Sequence, residues 1–225
     1  MEQRNTLRRA NMTRFVDTHN GEQPMADRTR FDRAYFDRWY RDPRRRVLDS
    51  AEISRRAALV VSIAEYVLER PARSVLDVGC GEGNWRAPLL ARRPGLRYVG
   101  VDPSEYVVRR YGRRRNIKRG AAETLDTLPL RGPFDIVVAS GVLNFLTSDA
   151  LRRAARMLQR LTSGVAFLEL FTSADEVVGD TVGWRPRSAS YYRRVLKAAG
   201  FTQCGPHCYA ARSSARALAA LERAS

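Results

Sequence analysis

The sequence predicts an α/β fold in which a mostly parallel β-sheet is covered by helices on both faces. From residue 74 onward, strand-like segments alternate with helical segments, and the strand-like segments are almost continuously apolar. Strands of this kind are buried on both sides, as in parallel sheets. The 225 residues are 44% hydrophobic and 28% charged, a composition that supports one domain with a hydrophobic core.

The elements follow in a regular order along the chain. The strand-like segments are 74–78, 98–101, 134–139 and 165–170. The helical segments between them are 84–93, 104–114 and 148–162, and Gly164 is expected to end the last of these. A helix over 191–199 is followed by a hairpin that turns at Gly205 and Pro206, with strands at 201–203 and 207–210.

Two helices are expected before the first strand. The first carries aromatic residues at three- and four-residue spacing, which places them on one face: Phe31, Tyr35, Phe36, Trp39 and Tyr40. This face either packs on the main domain or forms a lid over a substrate pocket. The second helix runs over 50–70, with Asp49 at its N-cap and Pro71 after its end.

The chain therefore divides into four predicted regions. Residues 1–27 are polar and without periodicity, so we expect a flexible tail. The helical extension or lid covers 28–70, the main domain 71–210 and a C-terminal tail 211–225.

The net charge is +16, and 38 of the 40 basic residues are arginines, because Lys118 and Lys197 are the only lysines. A GC-rich genome explains the choice of arginine over lysine but not the excess of base over acid. That excess permits an anionic partner, such as nucleic acid, an acyl-carrier protein or an acidic metabolite. The densest basic clusters are 44–46, 113–115 and 152–153.

No membrane, secretory or metal-binding signal is visible. The longest apolar runs, such as 57–63, are too short to span a bilayer, and the N-terminus has no apolar stretch of a signal peptide. We therefore expect a cytoplasmic protein with no membrane partner. Cys80, Cys204 and Cys208 are too few for a disulfide framework, and with His207 they do not complete a set of metal ligands.

A glycine-rich loop follows the first predicted strand. Gly79, Gly81 and Gly83 alternate between this strand and a helix. Glycines in this position permit a tight turn and a close approach of a ligand to the backbone. The spacing differs from the dinucleotide fingerprint, because Asn84 stands where that pattern has its last glycine.

Acidic residues stand near the ends of two consecutive strands. Asp77 precedes the glycine loop, and Asp102 ends the next strand. A carboxylate at position 77 would repel a pyrophosphate but would attract a cationic ligand such as S-adenosylmethionine, which carries a sulfonium and an ammonium. Asp102 can accept both ribose hydroxyls. The alternatives are that Asp77 braces the loop and that Asp102 caps the helix that begins near Ser104.

From residue 73 to 209 the sequence resembles the class I S-adenosylmethionine-dependent methyltransferase family. The four motifs that carry the resemblance are 75–83, 98–104, 120–125 and 134–146. The resemblance implies a Rossmann-like, doubly wound, mostly parallel sheet of seven strands and S-adenosylmethionine as cofactor. It implies these cofactor-binding residues: Asp77, Gly79, Cys80, Gly81, Gly83, Asp102, Pro103, Ala122, Glu123 and Ser140. Many members have an acidic residue where this chain has Ala121, so adenine recognition would depend on backbone groups or Glu123.

The acceptor side of the site is less well defined by the sequence. Asn144 stands where the family often has a histidine, and 184–187 falls where family members build substrate contacts. The predicted substrate residues are Asn144, Trp184, Arg185 and Arg187, with the arginines suited to a carboxylate or phosphate. The catalytic candidates are Glu169, Tyr191 and Tyr192. The alternatives are a solvated carboxylate at Glu169 and ordinary surface arginines.

The leading functional prediction is methyl transfer to a small-molecule acceptor, which can be anionic. A nucleic-acid methyltransferase is the first alternative because of the basic charge, although the Asn/Asp-Pro-Pro-aromatic motif of base amino methylation is absent after the fourth strand-like segment. A non-catalytic scaffold of the same fold is the second.

Overall fold

The computed structural model describes residues 31–45, 47 and 49–223, so the predicted tail 1–27 lies outside the described residues. Seven strands form one sheet: β1 Ser74–Val78, β2 Arg97–Asp102, β3 Ile117–Arg119, β4 Phe134–Ser140, β5 Thr162–Glu169, β6 Thr202–Gly205 and β7 Cys208–Ala210. Their order is β3-β2-β1-β4-β5-β7-β6. Strands β1 to β5 pair in parallel, and β7 is antiparallel to both β5 and β6. The prediction of a doubly wound, mostly parallel sheet of seven strands is confirmed.

Helices connect the strands and extend the chain at both ends. They are α1 Arg33–Phe36, α2 Ser50–Leu68, α3 Arg86–Arg92, α4 Glu105–Arg115, α5 Ser148–Leu161, α6 Ala189–Ala199 and α7 Ala220–Arg223. A π-helical turn, Asp37–Arg41, follows α1, and short 3₁₀ turns lie at Ala122–Thr127, Leu143–Phe145 and Ala215–Ala217. The predicted N-cap of α2 is confirmed, because the Asp49 carboxylate accepts a hydrogen bond from the amide of Ala51.

The hydrophobic core lies in two layers, one on each face of the sheet. On one face α2 and α3 pack on the sheet, and the stripe of Ala57, Val60 and Ala64 on α2 is completely buried. On the other face α5, α6 and the turn Ala122–Thr127 pack on the alternate strand residues. Successive residues of β1 serve different layers, since Val75 belongs to the first and Leu76 to the second.

Two local predictions were wrong for identifiable reasons. Gly164 was expected to end the helix, but β5 begins at Thr162, so Gly164 lies inside the strand. A Cβ atom at Gly164 would lie 2.5 Å from the carbonyl oxygen of Asp135, so the close approach of the neighbouring strand requires glycine here. The short edge strand β3 was not predicted, because Lys118 and Arg119 interrupt its apolar character and only Ile117 is buried.

The chain continues to pack on the domain after β7. Ala211, Ser214 and Leu218 are buried, and the Ser214 hydroxyl donates a hydrogen bond to the carbonyl of Gly164. The turn of the terminal hairpin lies at Pro206 and His207, one position later than expected. Among the described helices, none has the length and apolar character needed to cross a membrane.

Candidate active site

The residues predicted to bind the cofactor lie together at one edge of the sheet. The glycine loop follows β1, Asp102 ends β2, Ala122 and Glu123 follow β3, and Ser140 ends β4. This is the edge formed by the carboxyl ends of the strands, beside the point where the winding of the sheet reverses between β1 and β4. In open α/β sheets, ligands bind in the crevice at this point.

The glycine loop has a backbone that side chains would disfavour. Gly79, Gly81 and Gly83 have φ angles of +66°, +51° and +82°, all in the left-handed region. At Gly79 there is also no room, because a Cβ atom would lie 2.2 Å from Cγ1 of Val142. The loop turns back on the neighbouring strand, and the amides of Gly79 and Cys80 both donate to the carbonyl of Val101. The buried Cys80 therefore lies against β2.

Asp102 joins the glycine loop to the end of β2. Its Oδ2 accepts a hydrogen bond of 2.8 Å from the amide of Gly81, and its Oδ1 accepts one of 2.9 Å from the amide of Ser104. Burial raises the pKa of Asp102 to about 6, although these two amide bonds oppose the shift. The cap of α4 is Ser104, whose hydroxyl accepts from the amide of Val107, so Asp102 is not the residue that caps this helix.

Asp77 is the more deeply buried of the two carboxylates, with 2% of its surface exposed. Burial raises the pKa of Asp77 to about 7; a hydrogen bond from Tyr98 opposes this shift, and the charge of Asp102 adds to it. The two acids are therefore both desolvated, and the charge of Asp102 disfavours the charged form of Asp77. A cationic ligand at this site would stabilise both charged forms.

The first aromatic helix packs directly on the glycine loop. Phe36 is buried, and a Cβ atom at Gly81 would lie 3.4 Å from its Cε1 and 3.3 Å from the hydroxyl of Tyr40. Arg41 forms an ion pair with Glu82 of the loop. The segment thus contacts the predicted cofactor side of the site, whereas the sequence left open whether it packs on the main domain or covers a substrate pocket.

A cluster of charged and polar side chains lies where β4 and β5 end. Glu169 is paired in register with Ser140, and the Ser140 hydroxyl donates a hydrogen bond to its carboxylate. Arg56 of α2 binds both oxygens of Glu169, at 3.0 Å through Nη1 and 2.8 Å through Nη2. Glu52 contacts the same guanidinium at 2.6 Å. The Glu169 carboxylate is therefore buried and fully engaged rather than solvated.

Asn144 is completely buried, and both ends of its amide are engaged. Its Nδ2 donates to the carbonyl of Phe171 at 2.6 Å and to the hydroxyl of Tyr192 at 2.9 Å, while its Oδ1 accepts from the amide of Phe171 at 3.2 Å. The backbone carbonyl of Asn144 also accepts a hydrogen bond from the backbone amide of Arg185. These bonds hold the loop after β5 against the 3₁₀ turn after β4 and against α6.

The loop between β5 and α6 contains two buried hydrogen-bond donors that have no acceptor within the described part of the chain. They are Nε1 of Trp184 and Nη1 of Arg187. The other terminal nitrogen of Arg187 donates to the carbonyl of Leu146, and its guanidinium lies 5.7 Å from the ring centre of Tyr191. Arg185 is exposed. Because a buried unpaired donor costs about 1–3 kcal/mol, these two atoms are suited to an acceptor group on a ligand.

The sequence did not point to Arg56 or Tyr98. Arg56 is 113 positions from Glu169 and is one of 38 arginines, so no local pattern distinguishes it. A signal for Tyr98 did exist, since it is a hydroxyl-bearing residue in an apolar strand next to the strand that carries Asp77. No three His, Cys, Asp or Glu side chains of the described residues come together as a metal site.

The side chains at the glycine loop fit S-adenosylmethionine. Two buried carboxylates can face its positive charges and its ribose, and the left-handed glycines place no side chain between the loop backbone and a ligand. Ala121 offers no side-chain acceptor to the adenine amino group, and Glu123 beyond it is exposed. The turn Ala122–Thr127 presents backbone groups at this position.

A family model described as a methyltransferase domain matches residues 76–165. Among curated proteins, the trans-aconitate 2-methyltransferase of Deinococcus radiodurans is 30% identical over 109 residues, which are 48% of this chain and 42% of that protein. The enzyme of the same name from Methylobacterium nodulans is 37% identical over 100 residues, 43% of this chain and 38% of that protein. The chain thus spans about two fifths of the length of these relatives.

Solved structures share the fold over a longer stretch. The sugar N-methyltransferase KedS8 from Streptoalloteichus is 19% identical with a TM-score of 0.58, and the match covers 89% of this chain and 98% of that one. CalS10, an amino pentose methyltransferase from Micromonospora echinaspora, is 18% identical with a TM-score of 0.56 over 71% of this chain and 91% of its own. At these identities the likeness shows the fold.

Proposed function

We propose that this chain is a class I S-adenosylmethionine-dependent methyltransferase and that it transfers the methyl group of that cofactor to a small-molecule acceptor. The observation that carries the proposal is the pair of buried carboxylates, Asp77 and Asp102, at the ends of β1 and β2 beside the glycine loop. Their raised pKa values describe a site that disfavours negative charge until a positive ligand arrives.

Each cofactor-binding residue then has a specific task. Asp102 accepts the ribose hydroxyls, and Asp77 supplies negative charge near the methionine end. Gly79, Gly81 and Gly83 present the loop backbone. The remaining members of the set form the walls: Cys80, Pro103, Ala122, Glu123 and Ser140. Glu123 and the backbone of the turn Ala122–Thr127 are the groups available to the adenine ring.

The bound cofactor supplies a methyl group that is activated by its positive sulfur. The chain has to align the acceptor with that methyl and to exclude water. Ser140 and Gly141 at the end of β4 border the transfer site. A carboxylate acceptor needs no base, whereas a hydroxyl or a protonated amine has to lose a proton.

The acceptor that fits the unpaired donors best carries a carboxylate or another anionic oxygen group. Nε1 of Trp184 and Nη1 of Arg187 are buried donors that such a group can satisfy. Three curated relatives carry the name trans-aconitate 2-methyltransferase, and trans-aconitate is itself a carboxylate. In this assignment Asn144 holds the loop in place and Arg185 contributes at its exposed side.

Calorimetry with S-adenosylhomocysteine tests the cofactor assignment directly. We expect binding to the wild-type chain and no binding of NADH. Asp102→Asn should weaken binding by about 1–3 kcal/mol, because it removes hydrogen bonds to a charged group. Asp149→Asn changes an exposed carboxylate of α5 and should leave the affinity unchanged. Binding of NADH in place of S-adenosylhomocysteine would refute the assignment.

A nucleic-acid acceptor is the second candidate, and the surface of α5 and α6 favours it. The two helices pack side by side and expose seven cations: Arg152, Arg153, Arg156, Arg160, Arg193, Arg194 and Lys197. Asp149 is the one acidic residue in them. Phosphate contacts release counterions, so RNA binding that falls steeply with salt would support this candidate. Binding that stays absent at low salt would remove it.

A further inference from the structure

The segment Phe31–Arg41, which comprises α1 and the π-helical turn, lies on the glycine loop beside the carboxylate pair. We propose that Phe36 and Tyr40 are cofactor-contacting residues and that this segment is the movable wall of the cofactor site. The proposal rests on the proposed function, because it takes the glycine loop and its two carboxylates as the cofactor site.

The first support is the position of the two rings. Both lie within van der Waals reach of the Cβ position of Gly81, at 3.4 Å for Phe36 and 3.3 Å for the hydroxyl of Tyr40. The amide of the same glycine donates to Asp102, the carboxylate assigned to the ribose. The rings therefore border the space next to the residue that has to meet the cofactor.

The second support is the environment of the Tyr40 hydroxyl. Burial raises the pKa of Tyr40 far above its usual value, and the neighbouring groups Tyr35 and Asp102 add to the shift. The hydroxyl therefore keeps its proton at physiological pH and can donate a hydrogen bond. An aromatic face also attracts a cation, by about 0.5–2 kcal/mol depending on desolvation. Tyr40 can thus serve both the polar groups and the positive charge of the cofactor.

The third support is the way in which the segment is fastened. At its C-terminal end Arg41 pairs with Glu82 of the loop and approaches the hydroxyl of Tyr111 at 3.4 Å. At its N-terminal end the carbonyl of Phe31 accepts a hydrogen bond of 2.5 Å from Ser104 at the start of α4. Arg41 is 41% exposed, so water competes with Glu82 for the guanidinium and the ion pair can break.

These contacts also explain why the wall has to move. Asp102 exposes only 6% of its surface, and the Tyr40 hydroxyl lies beside Gly81, whose amide binds this carboxylate. A nucleoside cannot reach a carboxylate that is this well covered unless a neighbouring element is displaced. Phe36 packs on Cys80 of the loop and on Tyr106 of α4, and the ends of the segment are held by the polar contacts of Arg41 and Phe31. Among the described elements that touch the loop, this segment is short and lies outside the sheet, so it can be displaced without opening the sheet.

The test measures the affinity and the dissociation rate of S-adenosylhomocysteine on the full chain. Phe36→Ala and Tyr40→Ala should each weaken binding at least tenfold and accelerate dissociation in a chase experiment. Tyr40→Phe should show a smaller loss, because it removes the hydroxyl alone. Tyr66→Ala is the matched control, since Tyr66 is a tyrosine of α2 with 71% of its surface exposed.

A second pair of variants tests whether the ion pair between Arg41 and Glu82 holds the segment on the loop. Arg41→Gln should accelerate both association and dissociation, whereas Arg55→Gln, a change at an exposed arginine of α2, should alter neither. Circular dichroism and thermal unfolding of every variant show whether the domain is folded when binding is measured. Because Tyr40→Phe keeps the ring, its affinity for S-adenosylhomocysteine can be measured even if Tyr40→Ala unfolds.

The outcomes separate this proposal from the proposed function. If the wild-type chain binds S-adenosylhomocysteine and folded Tyr40→Ala binds it with the same affinity and dissociation rate, the proposal of a movable wall is refuted and the cofactor assignment stands. If Phe36→Ala and Tyr40→Ala bind S-adenosylhomocysteine more tightly than the wild type does, the segment obstructs the site and the proposal of a movable wall is refuted as well. Failure of the wild-type chain to bind overturns both proposals.

Discussion

The hydroxyl of Tyr98 donates a hydrogen bond to the carboxylate of Asp77, with 2.8 Å between Oη and Oδ2. The two residues lie on neighbouring strands, β2 and β1, and each is almost completely buried. A carboxylate has about four acceptor positions, so one hydroxyl satisfies only part of its needs. The pKa of Asp77 accordingly rises to about 7 through burial, despite this bond.

Asp77→Asn is expected to stabilise the ligand-free protein. Because the pKa of Asp77 in the folded state, about 7, exceeds its ordinary value of 3.8, stability is lost as the pH rises toward 7 and the buried group ionises. Asparagine carries no charge at any pH. We expect the free energy of unfolding at pH 8 to rise by roughly 1–4 kcal/mol, measured by chemical denaturation.

The same comparison at lower pH is the internal control. The gain from Asp77→Asn should shrink as the pH falls from 7 toward 4, because the wild-type carboxyl becomes neutral in the folded protein. S-adenosylmethionine should bind the variant more weakly, because the negative charge is gone. A variant that is less stable than the wild type at pH 8 would contradict this account.

The affinity for S-adenosylmethionine is expected to fall as the pH falls through 7 and then 6. The pKa values of Asp77 and Asp102 are raised to about 7 and about 6, and the sulfonium charge of the ligand does not change with pH. Below each pKa the carboxyl has to lose a proton on binding, which costs about tenfold in affinity per pH unit. Calorimetry at pH 8, 7, 6 and 5.5 measures the effect.

Asp77→Asn also separates the two contributions to this pH dependence. The decline that begins near pH 7 should disappear in this variant, while the decline near pH 6 remains because of Asp102. An affinity that is constant between pH 8 and pH 5.5 in the wild-type chain would show that neither carboxylate faces the charge of the ligand.

The glycine loop and its two acids could be predicted because each signal is local. An apolar run, an acid and alternating glycines identify 75–83 as a strand end, and the strand that ends at Asp102 follows directly. The sheet order then brings these strand ends to one edge. Apolar strands separated by helices are what specifies such a sheet, so the fold could be predicted together with this part of the site.

Two contacts of the candidate site could not be predicted, because they depend on tertiary packing. Arg56 of α2 binds Glu169 at the end of β5, and Tyr40 lies against Gly81 from a segment that precedes the domain. Neither pair has a spacing that a single sequence reveals. The edge strand β3 has the same difficulty, because an exposed edge tolerates Lys118 and Arg119 where a central strand would not.

Asn144→Ala is expected to lower the free energy of unfolding by about 2–4 kcal/mol, because it leaves buried partners without hydrogen bonds. The partners are the amide and carbonyl of Phe171 and the hydroxyl of Tyr192. Tyr192→Phe removes one of these bonds and should cost less. Limited proteolysis should show earlier cleavage in 172–187, since Asn144 holds this loop.

The control for Asn144→Ala is Gln159→Ala, a truncation of a half-buried side chain on α5 whose amide group makes no hydrogen bond to the described residues. It should change stability by less than about 0.5 kcal/mol. If Asn144→Ala were as mild as Gln159→Ala and the loop kept its resistance to protease, the amide would not be what anchors the loop.

Arg56→Met is expected to destabilise the protein by about 1–3 kcal/mol, because it leaves the buried carboxylate of Glu169 without its counter-charge. Glu169 has 8% of its side chain exposed and Arg56 has 23%, so water can compensate only in part. Glu52, the second partner of the Arg56 guanidinium, is 45% exposed. Glu52→Gln should therefore lower the free energy of unfolding by less than about 0.5 kcal/mol.

Combining Arg56→Met with Glu169→Gln completes a double-mutant cycle that separates charge from packing. If the loss in Arg56→Met comes from an uncompensated buried charge, neutralising Glu169 should recover much of it, and the double variant should be more stable than Arg56→Met alone. Equal losses in both would mean that the guanidinium acts through its packing between α2 and β5. Binding of S-adenosylhomocysteine should change less in these variants than in Asp102→Asn, because the cluster reaches the predicted cofactor site through the hydroxyl of Ser140 and not through Asp102.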